Sequence, residues 1–198
     1  MQPMMSATQT RCFERELLRQ ANSCLDVLEW GCGGSTYYYT QVLERHGIPY
    51  SWTSIEHKAE WADMITQALA GKTNVKIFTK TDWDEYVGFP ATLGKQFDLI
   101  LVDGRQRQRC LQQAHMLVKT RGVVLLHDAT RTRYRGGFAR YSDVRFLCYD
   151  LMRGTLQQVS PLRRFTNALN RGFYYAQRPF RKLAASIRKR LNSGAGTA

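Results

Sequence analysis

Five short apolar runs, Leu25–Trp30, Tyr50–Glu56, Asn74–Thr79, Phe97–Asp103 and Gly122–His127, recur along the chain with polar, helix-compatible stretches between them. Within them VLEW, FDLILVD and GVVLLHD are almost unbroken in apolar residues, the pattern of strands covered on both faces. Successive runs end about two dozen residues apart, which leaves room for a crossover helix in every interval. The spacing therefore predicts alternating strand and helix in a mainly parallel α/β sheet, with helices on both faces. Thr8 to Asn22 reads as a preceding helix that sets Phe13, Leu17 and Ala21 on one side, against the sheet edge.

After Asp128 the rhythm changes to a basic, glycine-bearing stretch, ATRTRYRGGFARYSD. Val144–Tyr149 and Gly172–Gln177 then read as two further strands, a terminal hairpin that brings the sheet to about seven strands. Asp150 to Asn170 between them is longer than a turn and reads as a short helix or a loop. From Pro179, placed at a first helical position, Phe180, Leu183, Ala184, Ile187 and Leu191 follow helical spacing. The expected organisation is one domain over 1–178, comprising an N-terminal helix (8–22) and two halves (25–103 and 104–178). A basic amphipathic helix and tail (179–198) completes it.

Of the net charge of +13 on 198 residues, ten basic residues fall in 151–198, which has no acidic residue at all. The basicity belongs to the C-terminal quarter, where it favours phosphates on an anionic membrane, a phosphorylated substrate or nucleic acid. No apolar run approaches the ~18–20 residues a membrane-spanning helix needs. MQPMMSATQTRCFERE lacks the basic and apolar segments of a secretory signal, so the expected location is cytoplasmic, and the helix over 179–191 either lies peripherally on an anionic membrane surface or docks on the domain. Five scattered cysteines without a C-x-x-C pair suit reduced thiols.

The first run leads directly into Gly31-Cys-Gly33-Gly34-Ser35-Thr36, where a buried strand gives way to a helix. Gly31 and Gly33 let the backbone turn tightly and approach a ligand, Ser35 and Thr36 can cap the helix, and the helix N-terminus favours an anionic group. Glu56 closes the second strand 22 residues after Gly34, placed to accept hydrogen bonds from ribose hydroxyls. Asp82 lies just past the third strand, placed to receive an adenine amino group, with Trp83 beside it to cover the ring.

VLEWGCGGST, followed by SIEHKAEW, FDLILVDGR and GVVLLHDA, resembles the class I S-adenosylmethionine-dependent methyltransferases, in particular small bacterial members linked to sugar or secondary-metabolite O-methylation. The resemblance covers Leu25 to Ala129. It implies a Rossmann-like domain in which Glu29 holds the cofactor's methionine amino group, Gly31 to Thr36 its backbone and carboxylate, Glu56 its ribose and Asp82 its adenine. A dinucleotide-dependent oxidoreductase is the competing reading of the loop. It usually has an apolar residue where Glu29 stands and a third glycine where Thr36 stands, and a carboxylate there opposes a pyrophosphate.

Acceptor chemistry is expected at the next two strand ends, Asp103-Gly-Arg105 and His127-Asp128. Two carboxylates and an imidazole can act as a base with an orienting partner, or as ligands of a divalent cation. Ala129 stands where such metal sites commonly continue with another acid or amide, so a cation is not favoured. Arg105 and Arg131 are candidates to clamp a phosphate or carboxylate on a small-molecule or glycan-like acceptor, phosphorylated or lipid-linked. Neither an N/D-P-P-Y/F turn nor a Pro-Cys nucleophile occurs, which disfavours a nucleic-acid base as acceptor. A non-catalytic cofactor- or anion-binding module anchored by its basic tail is the alternative from a different functional class.

Overall fold

The structure is a computed structural model that describes residues 1–21 and 24–194, with side chains as far as residue 186. Its seven strands are β1 (Leu25–Trp30), β2 (Tyr50–Glu56), β3 (Val75–Thr79), β4 (Phe97–Val102), β5 (Val118–His127), β6 (Asp143–Cys148) and β7 (Leu151–Thr155). They form one sheet in the order β3-β2-β1-β4-β5-β7-β6. The pairs from β3 to β5 are parallel, and β7 runs antiparallel to both of its neighbours. Helices α1 (Ala7–Gln20), α2 (Gly34–Arg45), α3 (Ala59–Ala68), α4 (Trp83–Gly88), α5 (Arg107–Leu117) and α6 (Pro161–Gly194) supply the covering layers.

Alternation along each central strand fills two separate cores. Val27, Leu99, Leu101, Val123 and Leu125 join Phe13 and Leu17 of α1 and Tyr39 of α2 on one face. Leu28, Ile100, Val102, Val124 and Leu126 join Leu111 and Ala114 of α5 on the other. This double coverage explains why the central runs are nearly continuous in apolar residues. α1 starts with a capping box between Ser6 and Gln9, and its buried Glu16 pairs with Arg153 of β7 at 3.1 Å.

The five parallel strands fall where the sequence places them, with β5 extended back to Val118. The C-terminal part differs. β7 is Leu151–Thr155, and Gly172–Gln177 is helical. The β6–β7 turn is tight because Asp150 adopts a left-handed conformation (φ 67°) and its Oδ1 accepts from the Thr130 backbone (2.8 Å) and hydroxyl (2.5 Å). α6 begins at Pro161, so Pro179 lies inside it rather than at its start and the 178/179 boundary falls within one continuous helix. Asn22, the expected end of the first helix, and the last four residues lie outside the described residues.

Strand order reverses between β1 and β4, so the loops at their carboxyl ends diverge into a crevice. Those loops also press on each other. Gly31 has φ +97°, and a Cβ there would stand 2.5 Å from the Gly104 Cα. Gly71 is also left-handed (φ +85°) but has open space around it. Gly71→Ala is expected to cost ~1 kcal/mol from backbone strain alone. Gly31→Ala should cost a further ~1–3 kcal/mol from overpacking. Urea unfolding of the two variants checks this, and equal losses would refute the close-approach account.

Candidate functional site

A cavity of about 940 Å³ opens at this reversal, near the upper end of the ~300–1,000 Å³ typical of small-molecule sites. Gly31, Gly33, Gly34 and Ser35 line it from the first loop. Gly33, rather than Ser35 or Thr36, caps α2, and its N–H donates to the Thr36 hydroxyl at 3.0 Å. Both hydroxyls turn inward to Glu29. Ser35 Oγ donates to Oε1 and Thr36 Oγ1 to Oε2, each at 2.5 Å, while Trp52 Nε1 (3.0 Å) and Ser54 Oγ (2.9 Å) donate to Oε2.

Glu29 is therefore fully buried beneath the loop, and neither it nor Thr36 lines the cavity. This corrects the expectation of a carboxylate open to a ligand, since its oxygens are taken up by the scaffold. Burial raises its pKa from 4.5 to about 7 against four donors that favour the charged form.

Glu56 at the end of β2 does line the cavity. The His57 and Lys58 backbones fix its Oε1 at 2.9 and 3.0 Å, and Oε2 has no partner among the described residues. Beside it Trp83 and His57 lie with ring centroids 5.4 Å apart, both on the cavity wall. Trp61 closes the same side and donates from Nε1 to the Cys32 carbonyl at 2.6 Å, pinning the glycine loop. Asp82 is not on the cavity. It caps α4, with Oδ1 accepting from Asp84 N (2.8 Å) and Glu85 N (3.0 Å), and those bonds lower its pKa. One oxygen of the residue expected at a base is thus taken by a helix terminus, while Oδ2 has no partner among the described residues.

Asp103, His127 and Asp128 converge on the cavity as expected. His127 Nδ1 lies 2.8 Å from Asp103 Oδ1, and its Nε2 has no partner among the described residues. Burial disfavours charge on the imidazole, but the Asp103 hydrogen bond and the charges of Asp103 and Asp128 outweigh it and raise the pKa. Arg107, at the start of α5, binds the two strand ends together. Its guanidinium donates to the Asp103 carbonyl (2.5 Å), the His127 carbonyl (2.6 Å) and Asp128 Oδ2 (3.1 Å), and lies 3.0 Å from Asp103 Oδ1. Arg131 pairs with Asp128 at 2.7 Å. Arg105 lines the cavity with no side-chain partner among the described residues.

Both carboxylates are thus already matched by guanidinium groups, and among the described residues no group of three or more His, Cys, Asp or Glu is placed to hold a metal ion. Arg107 is one of seven arginines that cluster in sequence around these strand ends as candidate anion clamps, but its bridging role, like the part played by Trp61, is not legible in residue type. The four-residue step from Asp103 to Arg107, across the turn that opens α5, is a local signal for the first. Trp61 is reached only through the fold.

A mainly parallel seven-stranded sheet with a glycine loop after β1 and an acid closing β2 defines the Rossmann-like class I methyltransferase fold. The chain belongs to the methyltransferase domain family, whose model matches residues 28–129. Among solved structures it is similar to a methyltransferase-like protein of Silicibacter pomeroyi, at 19% identity over 86% of this chain and 96% of that one, with a TM-score of 0.62. Human methyltransferase-like protein 13 in complex with SAH is 14% identical over 83% of this chain and 92% of that one, with a TM-score of 0.53. The CMeT domain of the citrinin polyketide synthase is 14% identical over 77% of this chain, with a TM-score of 0.57. The chain spans about half (52%) of the length of that structure. No curated protein sequence matches the chain.

The buried acid has a measurable signature. Because the folded state holds the Glu29 proton up to about pH 7 and the unfolded chain releases it near 4.5, stability falls as pH rises between those values. The loss from this group is on the order of 3 kcal/mol. Glu29→Gln should remove that part of the slope in urea unfolding at pH 5 and pH 8, whereas an unchanged difference would contradict the assignment.

Proposed function

We propose that this enzyme transfers a methyl group from S-adenosylmethionine to a hydroxyl of a small-molecule or glycan-like acceptor. The observation that carries the reading is the Asp103–His127 pair, held at 2.8 Å on the cavity wall with Nε2 free. The cofactor supplies an electrophilic methyl group when bound. The chain fits it: Glu56 Oε2 is available to a ribose diol, Trp83 and His57 offer ring faces to an adenine, and the glycine backbone admits a methionine moiety. Glu29 acts through the loop it holds rather than by contact.

Asp103 accepts a hydrogen bond from Nδ1–H of His127, which fixes the tautomer whose Nε2 lone pair removes the proton from the acceptor hydroxyl. Arg107 pairs with the aspartate and keeps both strand ends in register. Arg105, with no side-chain partner among the described residues, is the candidate to bind an anionic group on the acceptor, and Arg131, paired with Asp128, lines the same cavity.

Transfer of labelled methyl from S-adenosylmethionine to acceptors in a lysate tests the activity. Cofactor binding by calorimetry without any acceptor-dependent SAH would instead indicate a binding module. Glu56→Ala should weaken cofactor binding by about ten- to a hundred-fold, from loss of charged hydrogen bonds. Retained affinity would remove Glu56 from the site.

Asp103→Asn should lower turnover by about 10²–10⁴-fold with cofactor affinity unchanged, because an amide no longer fixes the imidazole tautomer. The base works only when neutral, so wild-type kcat/KM should rise with pH through a value above the ordinary histidine 6.5. In Asp103→Asn that limb should move down. An unshifted limb would mean that His127 is not the titrating base.

A further inference from the structure

α6 docks on the sheet edge with its polar face inward. Asn170 Oδ1 accepts from Phe146 N at 2.7 Å and its Nδ2 donates to Phe146 O at 3.4 Å, so one amide serves the edge strand as a neighbouring strand would. Asn167 donates to Asp143, Arg171 to the Val144 carbonyl, and Tyr174 packs on Phe146 with centroids 4.9 Å apart. On the other side Leu162, Phe165, Leu169, Phe173, Phe180 and Leu183 are 59–74% exposed. At ~100° per residue these six fall within about 80° of one another, opposite the docked face, over about 32 Å of helix. A globular helix places its apolar stripe against the core. This one turns it outward.

The charge around the stripe selects the occupant. From 151 to the end the chain carries ten basic residues and no acidic one. Arg163 and Arg181 lie about 120° round the helix from the centre of the stripe in one direction and Arg164 and Lys182 about 140° in the other, exposed but behind the apolar face, with Arg181 over the Tyr149 ring and Arg164 donating to Gln158. A second copy docked stripe to stripe would bring two cationic helices together with no carboxylate on either. A lipid surface with anionic headgroups accepts the apolar side chains at the acyl boundary and attracts the net positive charge of a helix that carries no carboxylate. No described helix is long and apolar enough to cross a membrane, so the helix lies along the surface.

We infer that α6, from Leu162 onward, is an anionic-membrane docking surface. The seat begins some 17 residues before the tail that the sequence marks out, and α6 is anchored to the domain through Asn167 and Asn170.

Flotation of the full-length protein with phosphatidylcholine vesicles, and with equal parts phosphatidylcholine and phosphatidylglycerol, tests it. The protein should float with the mixed vesicles, not with the neutral ones, and less as salt rises. The triple variant Phe165→Ser, Phe173→Ser, Phe180→Ser keeps every charge and changes only exposed side chains. It should bind mixed vesicles about ten-fold more weakly with an unchanged circular dichroism spectrum.

Equal binding by this variant would overturn the proposal in favour of a charge-only contact, and absence of wild-type flotation would overturn it outright. A wild-type dimer in sedimentation equilibrium that the triple variant abolishes would assign the stripe to a second copy instead. Binding of single-stranded RNA with loss of vesicle binding would assign it to nucleic acid.

Discussion

The cavity depends on a carboxylate that does not touch it. Glu29 sits fully buried at the end of β1 and gathers donors from β2 and from the first turn of α2. One residue thereby ties two strands and a helix at the point where the chain turns to meet a ligand. Four donors around one acid satisfy it, but burial still disfavours its charge, so the loop is held by a group poised between protonation states. Trp61 secures the same loop from above through the Cys32 carbonyl. A loop fixed on both sides needs little reordering to accept a ligand, which is the condition for efficient positioning.

Opposite the loop, a cation performs the corresponding task. Arg107 is largely buried and spans Asp103 and Asp128 while donating to two strand-end carbonyls. Without it, two acids and a polarised imidazole would face one another with uncompensated charge in a half-enclosed space. The backbone here is unusual as well. Gln106 (φ 48°), which directly precedes Arg107, and Asp128 (φ 59°), which its guanidinium contacts, are non-glycine residues in the left-handed region. Local strain of that kind persists only where surrounding bonds over-determine it, and Arg107 supplies several of them.

The parallel half of the sheet was legible in the sequence because its signal is strong and local. Strands buried on both faces read as apolar runs, and the crossovers fix their order. The antiparallel end was not. LMRGT has an arginine and a glycine at its centre, and it becomes a strand because β5 and β6 flank it and Arg153 reaches Glu16. GFYYAQ has the aromatic content of a strand yet is helical, since Tyr174 and Tyr175 meet Phe146 across a helix face.

At the site, residue type located Glu56, Trp83, Asp103, His127 and Asp128 on the cavity or its walls. It did not show which acids were already engaged. Asp82 gives one oxygen to a helix cap and Glu29 is held by buried donors, and both facts live in three-dimensional partners rather than in spacing.

α6 shows how an edge strand and an exposed stripe can share one origin. β6 ends the sheet and would otherwise offer free backbone groups to any other chain. Satisfying them calls for amides and a guanidinium on the helix, and once Asn167, Asn170 and Arg171 occupy the inward face the apolar residues can only point outward. The helix is also coupled to the cavity. Arg135 lies 3.5 Å over the Tyr175 ring, in the same 3-10 segment, Thr132–Phe138, whose Arg133 and Tyr134 line the cavity rim. Whatever seats the outer face of α6 therefore bears on a helix that already braces this rim of the cavity.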